Sequence, residues 1–151
     1  MNTIAIRQAT VSDLDALTCL FDGYRQFYGR TSDVPTARQF LLDRFNNGES
    51  TVFVALMEQK PAGFAQLYPS FSSVSMARTF ILNDLFVTPS ARRLGLASTL
   101  LQKAVEYAKQ RGAIRLTLST AIANEPAQAL YESQGWQKDE QFFVYHFATN
   151  V

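Results

Sequence analysis

The chain has 151 residues, of which 47% are hydrophobic, and a formal net charge of +1. A chain of this length fits one domain, and its composition is typical of a globular protein rather than a disordered one. The nearly neutral charge does not favour nucleic acid or an anionic membrane as a partner. No apolar run approaches the roughly 18–20 residues that span a bilayer. We therefore expect a single domain over residues 1–151, with neither a nucleic acid nor a membrane as partner.

The single cysteine and the single histidine limit the chemistry. Cys19 is the only cysteine, so no internal disulfide can form, and the sequence has no recognisable secretory leader. These features predict a cytoplasmic protein. His146 is the only histidine, which excludes a metal site built from several histidines, and we predict no bound metal.

The first third of the chain predicts one strand and two helices. Thr3–Arg7 has the composition of a short strand, and Ser12 is a candidate N-cap for a helix that Gly29 ends. The apolar stripe of this helix has helical spacing and comprises Leu14, Leu17, Leu20, Phe21, Tyr24, Phe27 and Tyr28. A second helix is predicted over Thr36–Asn47 and ends at Gly48.

The middle of the chain changes to the period of strands. Thr51–Leu56 and Ala62–Tyr68 are β-rich, and the short polar turn at residues 58–61 between them predicts a hairpin. Pro69–Ala77 is rich in serine and predicts a loop. Thr79–Val87 follows as a third strand, so we expect an antiparallel meander.

The last third predicts two helices and the remaining strands. The clearest helix has one continuous apolar stripe at Ala97, Leu100, Leu101, Ala104, Val105 and Ala108. A compact strand is predicted at Ile114–Ser119. A short helix then begins near Asn124 and is closed by Gly135. We expect the last strand or strands at Trp136 and Phe142–Phe147.

The turn between the third strand and the third helix predicts a binding site. Arg92 and Arg93 precede Gly95, and the periodic helix begins directly afterwards. This order directs backbone N–H groups and two guanidinium groups to one point, which suits a pyrophosphate. The P-loop and Rossmann glycine patterns are both absent from the sequence. The plainer interpretation is that both arginines are solvated and that Gly95 only permits a tight turn.

Two motifs together resemble a known superfamily. Arg92-Arg93-Leu94-Gly95-Leu96-Ala97 fits R-x-x-G-x-A, and the run from Asn124 to Tyr131 fits N-x-x-A-x-x-L-Y. Both are similar to signatures of the GCN5-related N-acetyltransferase (GNAT) superfamily, and the resemblance is closest to its diamine acetyltransferase-like branch. It also covers Ile6–Thr10 and Ile81–Val87. The resemblance implies an α/β fold of three layers, in which a mixed, mainly antiparallel sheet has helices on both faces.

The same resemblance implies an activity and a cofactor site. The expected reaction is direct transfer of an acetyl group from acetyl-CoA, as co-substrate, to a small primary amine in a ternary complex. Backbone N–H groups at the turn hold the pyrophosphate, the end of the third strand holds the pantetheine arm, and Tyr131 protonates the leaving thiolate. The residues assigned to the cofactor are Leu85, Phe86, Val87, Arg92, Arg93, Leu94, Gly95, Leu96, Ala97, Ser98, Asn124 and Tyr131. From the residues alone, Asn124 would be a helix N-cap and Tyr131 a core residue.

The sequence does not assign a general base. Asn83 stands where the similar branch often has an acid, and an amide cannot accept a proton at useful pH. We take Asn83 and Tyr131 as the catalytic candidates, with Asn83 ordering a water that relays the proton; alternatively, the amine binds partly neutral. Regular strand alternation predicts that Asp84 faces away from Asn83 and is structural.

The acceptor site is expected along the first helix. Tyr24, Phe27 and Tyr28 are the candidate substrate-binding residues, with Asp22 and Asp33 nearby. Because this set is aromatic and has few acids, it does not favour a polyamine, which prefers acidic walls. A monoamine, an amino acid or a protein amino group fits as well. At helical spacing, the same aromatic residues could simply be core.

The sequence leaves two other functions and the oligomeric state open. Asn83 in place of an acid is compatible with a non-catalytic acyl-CoA-binding regulatory module. A protein or peptide acetyltransferase would need an extended groove. By analogy with the superfamily we expect a homodimer, to which the aromatic run Phe142–Tyr145 could contribute.

Overall fold

The structure, a computed structural model, describes residues 3–150. Contacts divide the chain after Ser119 into two compact units. The first unit contains all the strands: β1 (Ile4–Gln8), β2 (Thr51–Met57), β3 (Lys60–Ser72), β4 (Ala77–Val87) and β5 (Arg115–Thr117). Its helices are α1 (Leu14–Phe27), α2 (Val34–Asn47) and α3 (Leu96–Gln110), and the second unit contains α4 (Glu125–Ser133). No helix in this described part of the chain has the length and hydropathy needed to cross a membrane.

The first unit is built around one five-stranded sheet in the order β1-β2-β3-β4-β5. All neighbouring strands are antiparallel except β4 and β5, which are parallel. Phe64 of β3 joins the core formed with α1 and α2, whereas Phe53 and Phe80 contact Tyr107 of α3. The helices thus cover both faces, and the predicted mixed sheet is confirmed.

The ends of the first two helices depend on local capping. Thr10 and Asp13 form a capping box around a short 3-10 turn, so α1 begins at Leu14 with Asp13 as N-cap, and the predicted N-cap Ser12 was wrong. The Asp33 carboxylate caps α2 by accepting the Thr36 backbone N–H at 3.2 Å. That helix therefore begins two positions before the predicted Thr36 and ends as predicted at Asn47.

The β3–β4 hairpin is longer than predicted. Pairing continues to Ser72 and Ala77, so most of the predicted loop at residues 69–77 is strand, and only residues 73–76 form the turn. The register shifts once, because Gln66 pairs with Asp84 and Leu67 with Leu82. Asn83 is therefore an extra residue on β4, that is, a β-bulge. A bulge interrupts the alternation of side chains along a strand.

The second unit has one helix and a long irregular segment. The strand predicted at Trp136 and Phe142–Phe147 was wrong, because residues 134–150 form no strand. Aromatic and β-branched residues favour strands, but a strand exists only where a partner edge accepts its hydrogen bonds. The aromatic side chains of this segment are highly exposed, for example Phe143 at 90%.

Candidate active site

The end of β4 has one open edge within the first unit. The ladder between β4 and β5 pairs Thr79–Ile81 with Arg115–Thr117 and ends there. In residues 3–119, no strand therefore pairs with the β5 side of Leu82–Val87. An open edge offers backbone donors and acceptors to an extended ligand that carries amides. The predicted pantetheine residues Leu85, Phe86 and Val87 lie in this stretch.

The turn after β4 leads directly to the start of α3. Arg93 and Gly95 adopt left-handed conformations, with φ of 64° and 84°. The first intrahelical bond runs from Thr99 N–H to the Gly95 carbonyl at 3.0 Å, so the N–H groups of Leu96 and Ala97 have no acceptor within the helix. A Cβ placed on Gly95 would meet no atom within 4 Å. The helix start is therefore an open, positively polarised surface suited to an anion.

The two arginines of the turn differ. Arg92 donates from Nε to the Val87 carbonyl at 3.0 Å, and its guanidinium lies 5.5 Å from the Phe27 ring centre and 5.8 Å from that of Phe86. Arg92 thus links the turn to the end of β4 and to α1. Arg93 is exposed. Sequence reasoning missed this anchoring, because it joins residues far apart in the chain.

The bulge at Asn83 brings polar side chains together beneath α1. Asn83 Nδ2 donates to Asp84 Oδ1 at 2.9 Å, so the prediction that these residues face opposite sides of the sheet was wrong. Gln66 on β3 donates from Nε2 to Asp84 Oδ2. The Tyr24 hydroxyl donates to the Asn83 carbonyl at 3.2 Å, and it also lowers the pKa of the neighbouring Asp84 carboxyl. We call Gln66, Tyr68, Asn83, Asp84 and Tyr24 the polar cluster.

Burial dominates the electrostatics of the polar cluster. Asp84 is only 3% exposed, and this desolvation raises the pKa of its carboxyl, although hydrogen bonds from Gln66, Asn83 and Tyr24 act in the opposite direction. Burial and the Asp84 charge also raise the pKa of the Tyr24 and Tyr68 hydroxyls, which therefore stay protonated. A buried carboxyl with a raised pKa is a candidate proton acceptor.

The predicted acceptor residues lie at different depths. Tyr24 is partly buried, and its ring contacts those of Phe64 and Phe86 at 5.8 and 6.2 Å. Phe27 and Tyr28 are more than half exposed, at 58% and 55%. The Tyr28 ring lies 5.1 Å from that of Tyr24. The structure therefore brings Tyr24 to the polar cluster, while the other two side chains lie outside it, at the exposed C-terminal end of α1.

The two acids near α1 stabilise the connection to α2. The buried Asp22 carboxylate accepts from Gln26 Nε2 at 2.9 Å, Ser32 Oγ at 2.7 Å and the Asp33 N–H at 2.8 Å. The bonds from Ser32 and Asp33 lower the pKa of Asp22. Because Asp33 in turn caps α2, both carboxylates have structural partners.

In the second unit, the second motif forms a capped helix. Asn124 Oδ1 accepts the Ala127 N–H at 3.2 Å, so the N-cap role is confirmed and Nδ2 remains as a donor. Tyr131 is partly buried, and its ring lies 6.2 Å from that of Trp136. The Tyr131 carbonyl accepts the Trp136 N–H at 3.1 Å, which closes the helix end.

Sequence reasoning missed Gln66, Tyr68 and Asp84 as members of the site. A signal was available, since Gln66 and Asp84 are polar residues within otherwise apolar strands, and such residues are buried only with partners. In residues 3–150, no three His, Cys, Asp or Glu side chains are grouped as a metal site would require.

The chain belongs to the acetyltransferase (GNAT) family, whose model matches residues 16–136. It is an N-acetyltransferase, as the names of its relatives also indicate. It is 48% identical to the uncharacterized N-acetyltransferase YhfO of Bacillus subtilis over 97% of both chains. A thialysine N-ε-acetyltransferase of Caenorhabditis elegans is 28% identical over 90% of both chains. A crystal structure of a probable acetyltransferase matches with a TM-score of 0.92 and 43% identity, covering 97% of this chain and 99% of the other.

Proposed function

We propose that this enzyme transfers the acetyl group of acetyl-CoA to a primary amine of a small molecule, directly and in a ternary complex. The observation that carries the proposal is the arrangement along β4. An open strand edge at Leu82–Val87 runs toward the uncapped start of α3, and a buried carboxylate, Asp84, lies on the same stretch. A ligand bound along that edge would bring its reactive end close to a group able to accept a proton.

The residues fit acetyl-CoA as the acyl donor. The pyrophosphate needs backbone N–H groups and space. Gly95 leaves both available, because it has no side chain and the position that a Cβ would occupy is open. The backbone of Leu94, Leu96, Ala97 and Ser98 continues from Gly95 at the helix start, and Arg93 adds a positive charge beside it. The amides of the pantetheine arm match the open edge at Leu85–Val87.

Acetyl transfer to an amine makes three chemical demands. The amine loses a proton, the thioester oxygen gains negative charge, and the thiolate leaves. In the proposal the β4 backbone polarises the thioester carbonyl, Tyr131 protonates the thiolate, and Asn124 Nδ2 binds the pantetheine arm. Asn83 donates a hydrogen bond to Asp84 and orients the water that relays the amine proton.

The acceptor site favours a small amine with an apolar or neutral body. In the proposal, Tyr24 lines the inner part of this acceptor site, and Phe27 and Tyr28 line its exposed part at the end of α1. The carboxylates of Asp22 and Asp33 are used in bonds within the connection from α1 to α2, which supports a single ammonium group rather than a polyamine. The similarity to a thialysine N-ε-acetyltransferase supports an amine at the end of an amino-acid side chain, so thialysine is a suitable first substrate.

The remaining calls from the sequence stay predictions. We propose that the two units act as one catalytic domain, which is supported by a family match that extends from residue 16 to residue 136. The cytoplasmic location and the homodimer are also predictions, and gel filtration with light scattering tests the dimer.

Release of free CoA from acetyl-CoA across a panel of amines tests the function. The panel comprises thialysine, lysine, tyramine, putrescine, spermidine and a peptide with a free N-terminus. We expect turnover with small monoamines or amino acids, and a kcat about 100-fold lower in Tyr131→Phe if the hydroxyl is the general acid. Tyr145→Phe removes a 90% exposed hydroxyl and is the matched control. Tight binding of acetyl-CoA without CoA release for any amine of the panel would refute the proposed transfer to a small primary amine.

A further inference from the structure

The side chain of Arg92 contacts three groups around the end of β4. Its Nε donates to the Val87 carbonyl at 3.0 Å, and its guanidinium lies 5.8 Å from the ring centre of Phe86 and 5.5 Å from that of Phe27. Val87 and Phe86 belong to β4, whereas Phe27 is the last residue of α1. A residue of the first helix, far from the turn in sequence, therefore contacts the arginine of the turn.

The hydrogen bond to Val87 brings Arg92 to the open edge of β4. Thr88 donates its N–H to the Ala62 carbonyl at 2.9 Å, that is, toward β3. The Val87 carbonyl belongs to the same peptide group, and in a trans peptide the C=O points opposite to the N–H. This carbonyl thus faces the side that the proposed function assigns to the pantetheine arm. Arg92 anchors the turn at the end of that edge.

The turn has few other attachments between Arg92 and the start of α3. The Arg92 N–H bonds to the Pro89 carbonyl at 3.4 Å. Within residues 3–150, the N–H groups of Arg93, Leu94 and Gly95 have no hydrogen-bond partner. These groups are the ones assigned to the pyrophosphate. A loop that binds a ligand through its backbone loses affinity when binding has to order it, so the anchor at Arg92 matters for the cofactor.

The position of the Phe27 ring is not explained by burial in the core. The ring is 58% exposed, so it gains little from removal from water. It packs edge-on against the Tyr28 ring at 5.4 Å and lies within cation–π distance of the Arg92 guanidinium. The contact with Arg92 therefore distinguishes this ring from an ordinary exposed side chain at a helix end.

We propose that Phe27 is a positioning residue for acetyl-CoA. Its ring fixes the Arg92 guanidinium, and Arg92 in turn fixes the turn so that the free N–H groups face the pyrophosphate. Phe27 touches neither the pyrophosphate nor the reacting atoms and acts through Arg92. This inference rests on the proposed function and deepens it, because a ring assigned to the exposed part of the acceptor site also preorganises the cofactor site.

The chemistry of the contact determines which substitutions preserve it. A cation is attracted to the face of an aromatic ring, so tyrosine at position 27 keeps the contact. Leucine is apolar but has no π system, so Phe27→Leu loses the contact. Methionine at position 92 keeps an unbranched side chain but has neither the charge nor the N–H donors. Arg92→Met therefore removes the group through which Phe27 is proposed to act.

Calorimetry of acetyl-CoA binding to the full-length protein, without amine, tests the proposal. The variants are Phe27→Leu, Phe27→Tyr, Arg92→Met and the double variant with Phe27→Leu and Arg92→Met. Phe71→Leu is the matched control, since Phe71 is 70% exposed and its ring lies 5.1 Å from the Arg78 guanidinium on the β3–β4 hairpin. Circular dichroism checks the folding of each variant.

We expect Phe27→Leu to weaken acetyl-CoA binding about fivefold, and Phe27→Tyr to stay within about twofold of the wild type. Arg92→Met should weaken binding about tenfold or more, because it loses the hydrogen bond and both ring contacts. Since Phe27 acts through Arg92, the double variant should bind within about twofold of Arg92→Met. Phe71→Leu should match the wild type.

Two results would overturn the inference while the proposed function survives. One is Phe27→Leu with the acetyl-CoA affinity of the wild type. The other is a loss from Phe27→Leu that is as large in the Arg92→Met background as in the wild type, which would make Phe27 independent of Arg92. If the wild type binds acetyl-CoA but turns over no amine, the proposed function fails, and the same binding comparison still decides the role of Phe27. A wild type that does not bind acetyl-CoA would reject both.

Discussion

The turn at the start of α3 and the polar cluster beneath α1 are both adjacent to the end of β4, yet they are built differently. The turn uses backbone: two left-handed residues and the N–H groups of a helix that no side chain caps. The polar cluster uses side chains from three elements around one bulge. Backbone recognition tolerates most side chains but few changes of conformation, whereas the polar cluster depends on single atoms. This difference determines which substitutions should affect which substrate.

The turn should be most sensitive at Gly95. Gly95→Val places a β-branched residue at φ 84° and projects methyl groups into the open space where the pyrophosphate is proposed to bind. We expect acetyl-CoA to bind about 10- to 100-fold more weakly, with the KM of the amine little changed. Calorimetry with acetyl-CoA measures the effect.

Gly112→Val is the matched control for this substitution. Gly112 follows the other end of the same helix, has φ 74°, and also has no atom within 4 Å of an added Cβ. The two variants should lose similar stability, and only Gly95→Val should lose acetyl-CoA affinity. Equal acetyl-CoA affinity in both variants would show that Gly95 is not part of the cofactor site.

The acceptor side should depend on the connection between α1 and α2. Asp22→Asn weakens three hydrogen bonds to a buried carboxylate, and we expect a loss of about 1–2 kcal/mol in the free energy of unfolding at pH 7. Because the pKa of Asp22 is lowered by folding, its contribution is full above the pKa of the unfolded chain and is lost as the pH falls through the folded pKa. The difference between variant and wild type should therefore shrink on acidification.

Urea unfolding at several pH values measures this difference. Asp15→Asn is the control, since the Asp15 side chain is 88% exposed and forms only a surface ion pair with Arg38. Such a pair contributes little to stability. A pH-independent loss in Asp22→Asn would contradict the assignment to an ionised carboxylate.

The smallest effect is expected within the polar cluster at Tyr24. Tyr24→Phe keeps the ring contacts with Phe64 and Phe86 but removes the hydroxyl that donates to the Asn83 carbonyl. We expect a three- to fivefold loss of kcat/KM, about the value of one hydrogen bond. The acid limb of the profile of kcat/KM against pH should move to higher pH, because the Tyr24 hydroxyl lowers the pKa of Asp84.

Tyr107→Phe provides the comparison for Tyr24→Phe. Its hydroxyl bonds to Thr51 at 3.0 Å on the α3 side of the sheet, so its removal should change stability without moving the pH profile. A shift of the profile in both variants would indicate a global change instead of a local one.

Much of the proposed cofactor site could be predicted from the sequence. R-x-x-G-x-A between an apolar strand and a periodic helix specifies a strand, a turn and a helix start with no side-chain cap, and the structure has all three at Ala77–Val87, Gly95 and Leu96–Gln110. The motif works because backbone conformation is encoded locally: glycine permits a positive φ, and helical periodicity determines where N–H groups are left without partners.

The arrangement of the proposed acceptor site was decided by the tertiary structure. Alternation along β4 predicted that Asn83 and Asp84 lie on opposite faces, but the bulge depends on how β3 pairs with β4, and that register is a property of two strands. The anchoring of Arg92 on Phe27, the burial of Gln66 beside Asp84 and the use of Asp22 in the α1–α2 connection arise in the same way. Each results from contacts between residues distant in the chain.

The sequence by itself thus determined the fold class, the family and the position of the helix start that we propose binds the cofactor, because these follow from local propensity, period and motif. Only the tertiary structure decided which carboxyl is buried beside neutral amides, and which aromatic ring contacts the arginine of the turn. Burial and pairing are properties of the packed sheet, where strands far apart in sequence place Gln66 and Asp84 side by side.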